Sequence, residues 1–353
     1  MIVLLAGCGG KSDQPQPTLR PTAVPPTPTP RSTALPDVPE APALGNPGRP
    51  IEIQFVLRDA RRSTDTVEMS NALESELLEQ LDLTVDVTFI DNESAALDAI
   101  CNGSANGNPS AVWVSPFSLI AAENECEAVP TLAVIRGTPP RESAGLSADI
   151  IAAATVTSLD QIAGRPFCRL DSQDVITWLY PSLIMAEQGV NPLSDLGRIL
   201  DRADYLALLE AVYKGDCAAA ALPAGEYEDL VDDLVDALDD EAISRDDITA
   251  AVKVLIPAGN TTAPTNLEDW PGFDAHVIPY DVLVFPASHM IPAELREGIT
   301  QIVTDFFSSR IAGSARLRVL LRDASKVMPV EHDDYDAFRS AINRSGWNMA
   351  FLE

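Results

Sequence analysis

Ala111-Val112-Trp113-Val114-Ser115-Pro116 is a run of four apolar residues closed by a serine and a proline. An unbroken apolar run of that length fits a strand buried on both faces. A Ser-Pro pair supplies the capping hydroxyl and the preset φ of a helix start. The stretch therefore reads as a buried strand running straight into a helix, which is the repeating unit of an α/β sheet. Upstream, Ile51-Glu52-Ile53-Gln54-Phe55-Val56 alternates as a strand does, and Leu73, Leu77 and Leu81 lie on one face of a helix over 69–81. Residues 84–90 alternate again, and 93–100 form a short helix. Downstream the pattern restarts. A helix and its stop fall at 159–164, a strand at 165–170, helices at 178–188 and 205–213, and a buried strand at 217–222. A strand at 277–285 and helices at 292–307 and 335–345 complete the chain. Two α/β units in series predict a two-lobed clamshell, each lobe a doubly wound, mostly parallel sheet, with a site in the cleft between them.

The chain has 353 residues and a formal charge of -29. Twelve of its 28 prolines fall in residues 11–50, so residues 9–50 read as an extended polar tether. About 300 residues remain, enough for two domains. The tether is nearly neutral, so the folded part carries almost all of the negative charge, which excludes nucleic acid as a partner. Between Glu226 and Asp247 there are eleven carboxylates and one arginine, with Leu230, Leu234 and Leu238 four apart. That spacing predicts an exposed amphipathic helix, with a divalent-cation site as the lesser alternative. No further apolar run after Cys8 approaches the length that crosses a bilayer.

Leu5-Ala6-Gly7-Cys8 has the pattern of a bacterial lipobox. It predicts a lipid on Cys8 and an extracytoplasmic protein held to the cell membrane. Residues 1–8 then belong to a signal peptide whose true start lies further upstream. The alternative is an apolar N-terminus with a chance cysteine. Four other cysteines allow three pairings. Cys101–Cys126 and Cys168–Cys217 would each lie within one lobe; buried free thiols are the alternative. No Cys/His spacing suggests zinc.

Seven segments in order match the pattern of one known family. Ala96-Leu97-Asp98-Ala99-Ile100 is similar to the helix before that family's third strand, and Trp113-Val114-Ser115-Pro116-Phe117 to its W-L-G-P-F. Ser158-Leu159-Asp160-Gln161-Ile162-Ala163-Gly164-Arg165 is similar to S-L-A-D-L-K-G-K, and Trp178-Leu179-Tyr180-Pro181 to Y-L-Y-P. Ala211-Val212-Tyr213-Lys214-Gly215 is similar to A-V-x-x-G, and Ile278-Pro279-Tyr280-Asp281 to I-P-N-D. Met328-Pro329-Val330 with Asp334-Tyr335-Asp336 is similar to the closing V-P-V…D-Y-D. Together the seven resemble the PhnD type of phosphonate- and phosphate-binding periplasmic proteins, within the type II periplasmic binding protein fold. The resemblance implies a solute-binding lipoprotein that hands a small molecule to the permease of an ABC importer. It implies no cofactor and no metal, and we expect a monomer. Lobe 1 would be 51–138 with 278–353, and lobe 2 would be 139–277.

The departures bear on the ligand. The family's D-P-x-S-T-S-G becomes Asp171-Ser172-Gln173-Asp174-Val175-Ile176-Thr177, so its three hydroxyl positions become Asp174, Val175 and Ile176. Its S-H pair becomes Ala203-Asp204, and the tyrosine of G-P-F-x-Y becomes Leu119. A carboxylate about 4 Å from a bound anion costs roughly 4 kcal/mol at an effective dielectric near 20, whereas tenfold in affinity is about 1.4 kcal/mol. The ligand is therefore expected not to be phosphonate. Asp174 and Asp204, with Trp178 and Tyr205, suit an amine or a quaternary ammonium group. A plain helix cap is the other reading of Asp174. Arg169 and Asp171 would hold the two ends of a zwitterion. Arg58, Asp59, Arg61 and Arg62 follow the first strand and would take a carboxylate or phosphate, or form a solvated turn. Ser115, Phe117, Ser172 and Thr177 complete the expected ligand-binding set. No G-x-S-x-G, H-E-x-x-H or P-loop is present, and His276, His289 and His332 are scattered, so catalysis is not expected. The competing reading is a surface sensor or interaction module that kept the clamshell and lost the pocket, closed by Val175 and Ile176.

Overall fold

The computed structural model describes residues 43–56, 64–172, 174–238, 243–268 and 270–346. All of them fall in one compact unit, Pro42–Glu353. Two mixed sheets organise it. The first half supplies β1 (Ile51–Val56), α1 (Thr64–Leu81), β2 (Val85–Ile90), α2 (Glu93–Asn102), β3 (Ser110–Val114), α3 (Pro116–Cys126), β4 (Val129–Thr138) and β5 (Arg141–Ser143). The chain then crosses through β6 (Gly145–Leu146) into β7 (Ala148–Ala153) and β8 (Pro166–Arg169). After β8 come α4 (Tyr180–Glu187), β9 (Arg198–Asp201), α5 (Tyr205–Tyr213), β10 (Ala219–Pro223), α6 (Tyr227–Leu238), α7 (Arg245–Ala251) and β11 (Val252–Ile256). It returns by β12 (Ile278–Pro279) to β13 (Val282–Phe285), α8 (Ala293–Ser308), α9 (Ala312–Leu320), β14 (Ala324–Pro329) and α10 (Asp336–Ser345).

The seven-stranded sheet runs β14-β4-β13-β3-β1-β2, with β5 paired to β4, and the five-stranded sheet runs β11-β7-β10-β8-β9. The two-lobed α/β architecture is as expected, but the sheets are more mixed than strand–helix alternation predicts. Strands β2, β1 and β3 are mutually parallel, as are β9, β8 and β10. The strands on either side of the crossings pair antiparallel: β13 with β3 and β4, β14 with β4, and β7 with β10 and β11. A chain that enters a sheet from the other lobe, rather than over a crossover helix, need not keep the direction of its neighbours. The short ribbon of β6 and β12 lies where the outgoing and returning segments meet.

The folded part starts before residue 51, which corrects the expected tether boundary. Gly45 N–H donates to the Arg49 carbonyl at 2.9 Å, Thr84 N–H donates to the Gly45 carbonyl at 2.6 Å, and Leu44 packs on the core. The glycines and proline of 45–48 make a tight turn against the sheet, although their composition alone matches a linker. Cys8 and residues 1–42 lie outside the described residues. Among the described residues, no helix is long and apolar enough to cross a membrane.

The disulfides Cys101–Cys126 and Cys168–Cys217 are both present, joining α2 to α3 and β8 to the segment between α5 and β10. Residues 227–238 of the acidic stretch fold as α6, with Tyr227, Val231 and Leu234 buried and the carboxylates of that helix outward. Arg245 pairs with Glu228 and Asp232 of that face. One apolar core runs without interruption from α3 and β4 of the first lobe to β7, β8 and α4 of the second. A second core fills the other side of the seven-stranded sheet under α1 and α8, and a third packs α5 and α6 on the five-stranded sheet.

Gly137 stands where β4 turns into the crossing. Its φ is +90°, and a Cβ there would lie 2.3 Å from the Arg141 carbonyl oxygen. We expect Gly137→Ala to cost about 1–3 kcal/mol in urea unfolding, from the left-handed backbone and the displaced β5 strand. Unchanged stability would mean that this turn is not constrained in that way.

Candidate functional site

Three parallel strands of the second lobe end side by side, and each runs into a turn that starts a helix. β8 ends at Arg169 and passes through Leu170, Asp171 and Ser172 to Asp174. Asp174 caps a π-helical turn, Val175–Leu179, which continues directly into α4. β9 ends at Asp201, and Asp204 then caps α5. β10 ends at Pro223, and Ala224, Gly225 and Glu226 lead into α6. Adjacent parallel strands put these turns at one edge of the lobe, where α/β folds place their ligands.

The Asp174 carboxylate is turned onto its own helix. Its Oδ1 accepts from Thr177 N–H at 2.6 Å and from Thr177 Oγ1 at 2.7 Å. The Thr177 hydroxyl oxygen in turn accepts from Leu170 N–H at 3.0 Å. Thr177 is fully buried. This closed set of donors at a helix N-terminus is what an external oxyanion would otherwise engage, and here the chain supplies the anion itself. Asp204 does the same for α5, its Oδ1 accepting from Ala207 N–H at 2.8 Å. Both carboxylates are helix caps, as one of the two sequence readings of Asp174 has it.

The arginines are engaged. Arg169 Nε donates to Asp201 Oδ1 at 2.9 Å, and its guanidinium lies 4.6 Å over the Trp178 ring. Arg202 donates from Nη1 to the Asp201 carbonyl at 3.1 Å and lies 4.0 Å from Asp216. The Tyr205 hydroxyl is held above its ordinary pKa, first by burial and then by the charges of Asp174 and Glu226. Asp171, Asp174, Asp201, Asp204 and Glu226 thus stand against Arg169 and Arg202, and the strand-end region is net negative.

Asp171 and Ser172 are exposed, and Trp178 is buried, with the Arg169 guanidinium covering one face of its ring. In the first lobe, Ser115 is a half-buried cap of α3, its Oγ accepting from Ser118 N–H at 3.3 Å. Phe117 departs from the expected ligand-binding set. Its ring packs in the core, edge-on to Phe338 at 5.4 Å. Leu119 is also fully buried. Arg58, Asp59, Arg61 and Arg62 lie outside the described residues. Sequence reasoning does not single out Asp201 or Glu226. Asp201 is legible only once β9 is paired beside β8, since it faces Arg169 in register. Glu226 belongs to the acidic run, and its position directly after β10 is the signal that sets it apart.

A two-lobed α/β protein with its polar residues gathered at parallel strand ends has the architecture of a solute-binding protein. Residues 59–335 match the family described as "ABC transporter, phosphonate, periplasmic substrate-binding protein", and the chain belongs to that family. It is an extracytoplasmic substrate-binding protein of the ABC importer type, not an enzyme, with a small-molecule ligand and permease partners. A search of curated proteins gave no match. Among solved structures, the chain is similar to a binding protein component of an ABC phosphonate transporter from Pseudomonas aeruginosa, at 13% identity and TM-score 0.43, over 84% of this chain and 87% of that one. It is also similar to a Xanthomonas citri protein bound to ATP, at 12% identity and TM-score 0.48, over 86% and 99%. A third is a PhnD protein from Prochlorococcus marinus in complex with methylphosphonate, at 11% identity and TM-score 0.42, over 84% and 98%.

Proposed function

We propose that this chain is a lipid-anchored receptor of an ABC importer whose ligand is a small amine or zwitterion rather than phosphonate. The observation that carries the reading is the Asp174 carboxylate, which takes up the N-terminal donors of the helix after β8. A phosphonate at that point would meet a fixed negative charge and no vacant donors from Thr177. A cation would meet the outer faces of Asp174 and Glu226, with the Tyr205 ring beside them. Arg169, oriented by Asp201, and Asp171 would engage the two ends of a zwitterion, with Ser172, Asp204 and Ser115 at the rim. The lipobox at Leu5-Ala6-Gly7-Cys8 supports anchoring through Cys8 to the outer face of the cell membrane. The lobes of this reading are 51–138 with 278–353, and 139–277; the division follows the two sheets except at β5, residues 141–143, which pairs with β4 of the first sheet. The receptor acts as a monomer.

The test is a thermal-unfolding panel of phosphate, methylphosphonate, sulfonates, amino acids, polyamines and choline. A ligand at 100 times its Kd stabilises by about 2.7 kcal/mol, a shift of several degrees. We expect a shift with a cation or zwitterion that is lost in Asp174→Asn, which keeps a capping oxygen but removes the charge. A shift with methylphosphonate would overturn the proposal. Val175 and Ile176 are half-buried and pack against the shared core, which favours a second reading as a sensor with a closed pocket. A panel with no response at all would move the assignment to that reading.

A further inference from the structure

α10 touches both lobes, and its two ends are held in different ways. Phe338, Ala341 and Ile342 on one face are buried in the core that joins the lobes. Toward its start, Arg339 grips Glu123 of α3, with Nε to Oε2 at 3.0 Å and Nη2 to Oε1 and Oε2 at 3.0 and 2.9 Å. That pair is nearly dry, at 13% and 4% side-chain exposure, and His332 Nδ1 lies 2.8 Å from the same carboxylate. Toward its end, Arg344 pairs with Glu187 at the last turn of α4, at 54% and 19% exposure. Between these pairs α10 lies along α4. α4 is apolar over most of its length, with Tyr180, Pro181, Ser182, Leu183, Ile184 and Met185 all buried. It is also the direct continuation of the helical turn that Asp174 caps.

We propose that α10 is a strap on which the second lobe moves, anchored at Arg339–Glu123 and latched at Arg344–Glu187. Breaking a buried, multiply hydrogen-bonded ion pair leaves an uncompensated charge and is costly, whereas an exposed pair opens at little cost. The apolar contact between α10 and α4 is non-directional and tolerates a small slide, as packed helices do in shear motions. Relative movement of the lobes therefore keeps the anchor and opens the latch, and it carries the Asp174 turn along with α4. The latch favours the arrangement in which Arg344 and Glu187 are paired. The inference does not depend on which ligand the site takes.

The test measures the distance distribution between spin labels on non-natural residues at Asp98 of α2 and Asp229 of α6, both exposed, in the unliganded full chain. Arg344→Glu is expected to raise the population of a second, displaced distance about two- to fivefold, the range expected for one exposed ion pair. The charge swap Arg344→Glu with Glu187→Arg should restore the parent distribution. Glu187→Gln serves as a milder variant should Arg344→Glu fold poorly, and it should shift the distribution in the same direction. An unchanged distribution in both single variants, or a shift that the swap does not reverse, would overturn the strap.

Discussion

Glu52→Leu is expected to lower the unfolding free energy by about 3–5 kcal/mol, several times what an exposed substitution costs. Glu52 sits in β1 at 2% exposure. Its Oε1 accepts from Ser104 Oγ at 2.5 Å and from Asn106 and Asn108 Nδ2, each at 3.3 Å. Its Oε2 accepts from Gln54 Nε2 at 2.8 Å and Thr88 Oγ1 at 3.4 Å. One carboxylate thus ties the α2–β3 loop to strands β1 and β2. Leucine would leave those donors facing an apolar side chain.

The same site sets part of the pH dependence. Burial, the largest single influence, pushes the Glu52 carboxyl up, but its hydrogen bonds together hold it below the ordinary value of 4.5. A folded-state pKa below the unfolded one contributes stability that is fully present above about pH 4.5 and is lost as pH falls through the folded pKa. Urea unfolding of the parent between pH 7 and pH 3 should follow that fall, and Glu52→Gln should flatten it. A Glu52→Leu protein within about 1 kcal/mol of the parent at pH 7 would contradict this account of the loop.

The second large effect is expected from the Cys168–Cys217 bridge. It closes a segment 49 residues long, which contains the capped turn at Asp174, α4, β9 and α5. On the chain-entropy model that constraint contributes about 4 kcal/mol, and the 25-residue Cys101–Cys126 loop about 3.5 kcal/mol. Replacing Cys168 and Cys217 together by alanine should lower Tm by at least several degrees in calorimetry, and reduction of the parent should do the same. Because the bridge spans the strand-end turns, the double variant should also weaken any ligand response found in the panel. An unchanged Tm would mean that the bridge constrains little in the unfolded chain.

The elements legible in the sequence share one property: their local pattern agrees with their tertiary setting. α5 is legible over its observed span, Tyr205–Tyr213, because its apolar spacing, its Asp204 cap and the Gly215 that follows all point the same way. β1 is legible as a strand, yet its alternation suggests a polar face, and that face is buried. Glu52 and Gln54 are at 2% and 4% exposure because α2 and the 103–108 loop cover them, a tertiary fact no window of β1 contains. β4 is hidden in the sequence because Pro130 and Gly137 break a strand pattern. β9 is short and carries exposed charged residues at both ends, and β14 holds Ser325 and Lys326 and closes on Pro329. At the site, the Asp174 cap is legible from residue type and position. The Arg169–Asp201 pair is not, because 32 residues separate its members and only the parallel register of β8 and β9 brings them together. The core position of Phe117 likewise depends on Phe338, contributed by the last helix.

The most direct test of the central claim is a calorimetric titration of residues 43–353, disulfides intact, with methylphosphonate and in parallel with the strongest cation or zwitterion of the panel. The Asp174 carboxylate predicts no heat of binding with methylphosphonate at millimolar concentration, and saturable one-to-one binding of the cationic ligand that Asp174→Asn weakens at least tenfold, about 1.4 kcal/mol. Tight methylphosphonate binding by the parent protein would contradict the account.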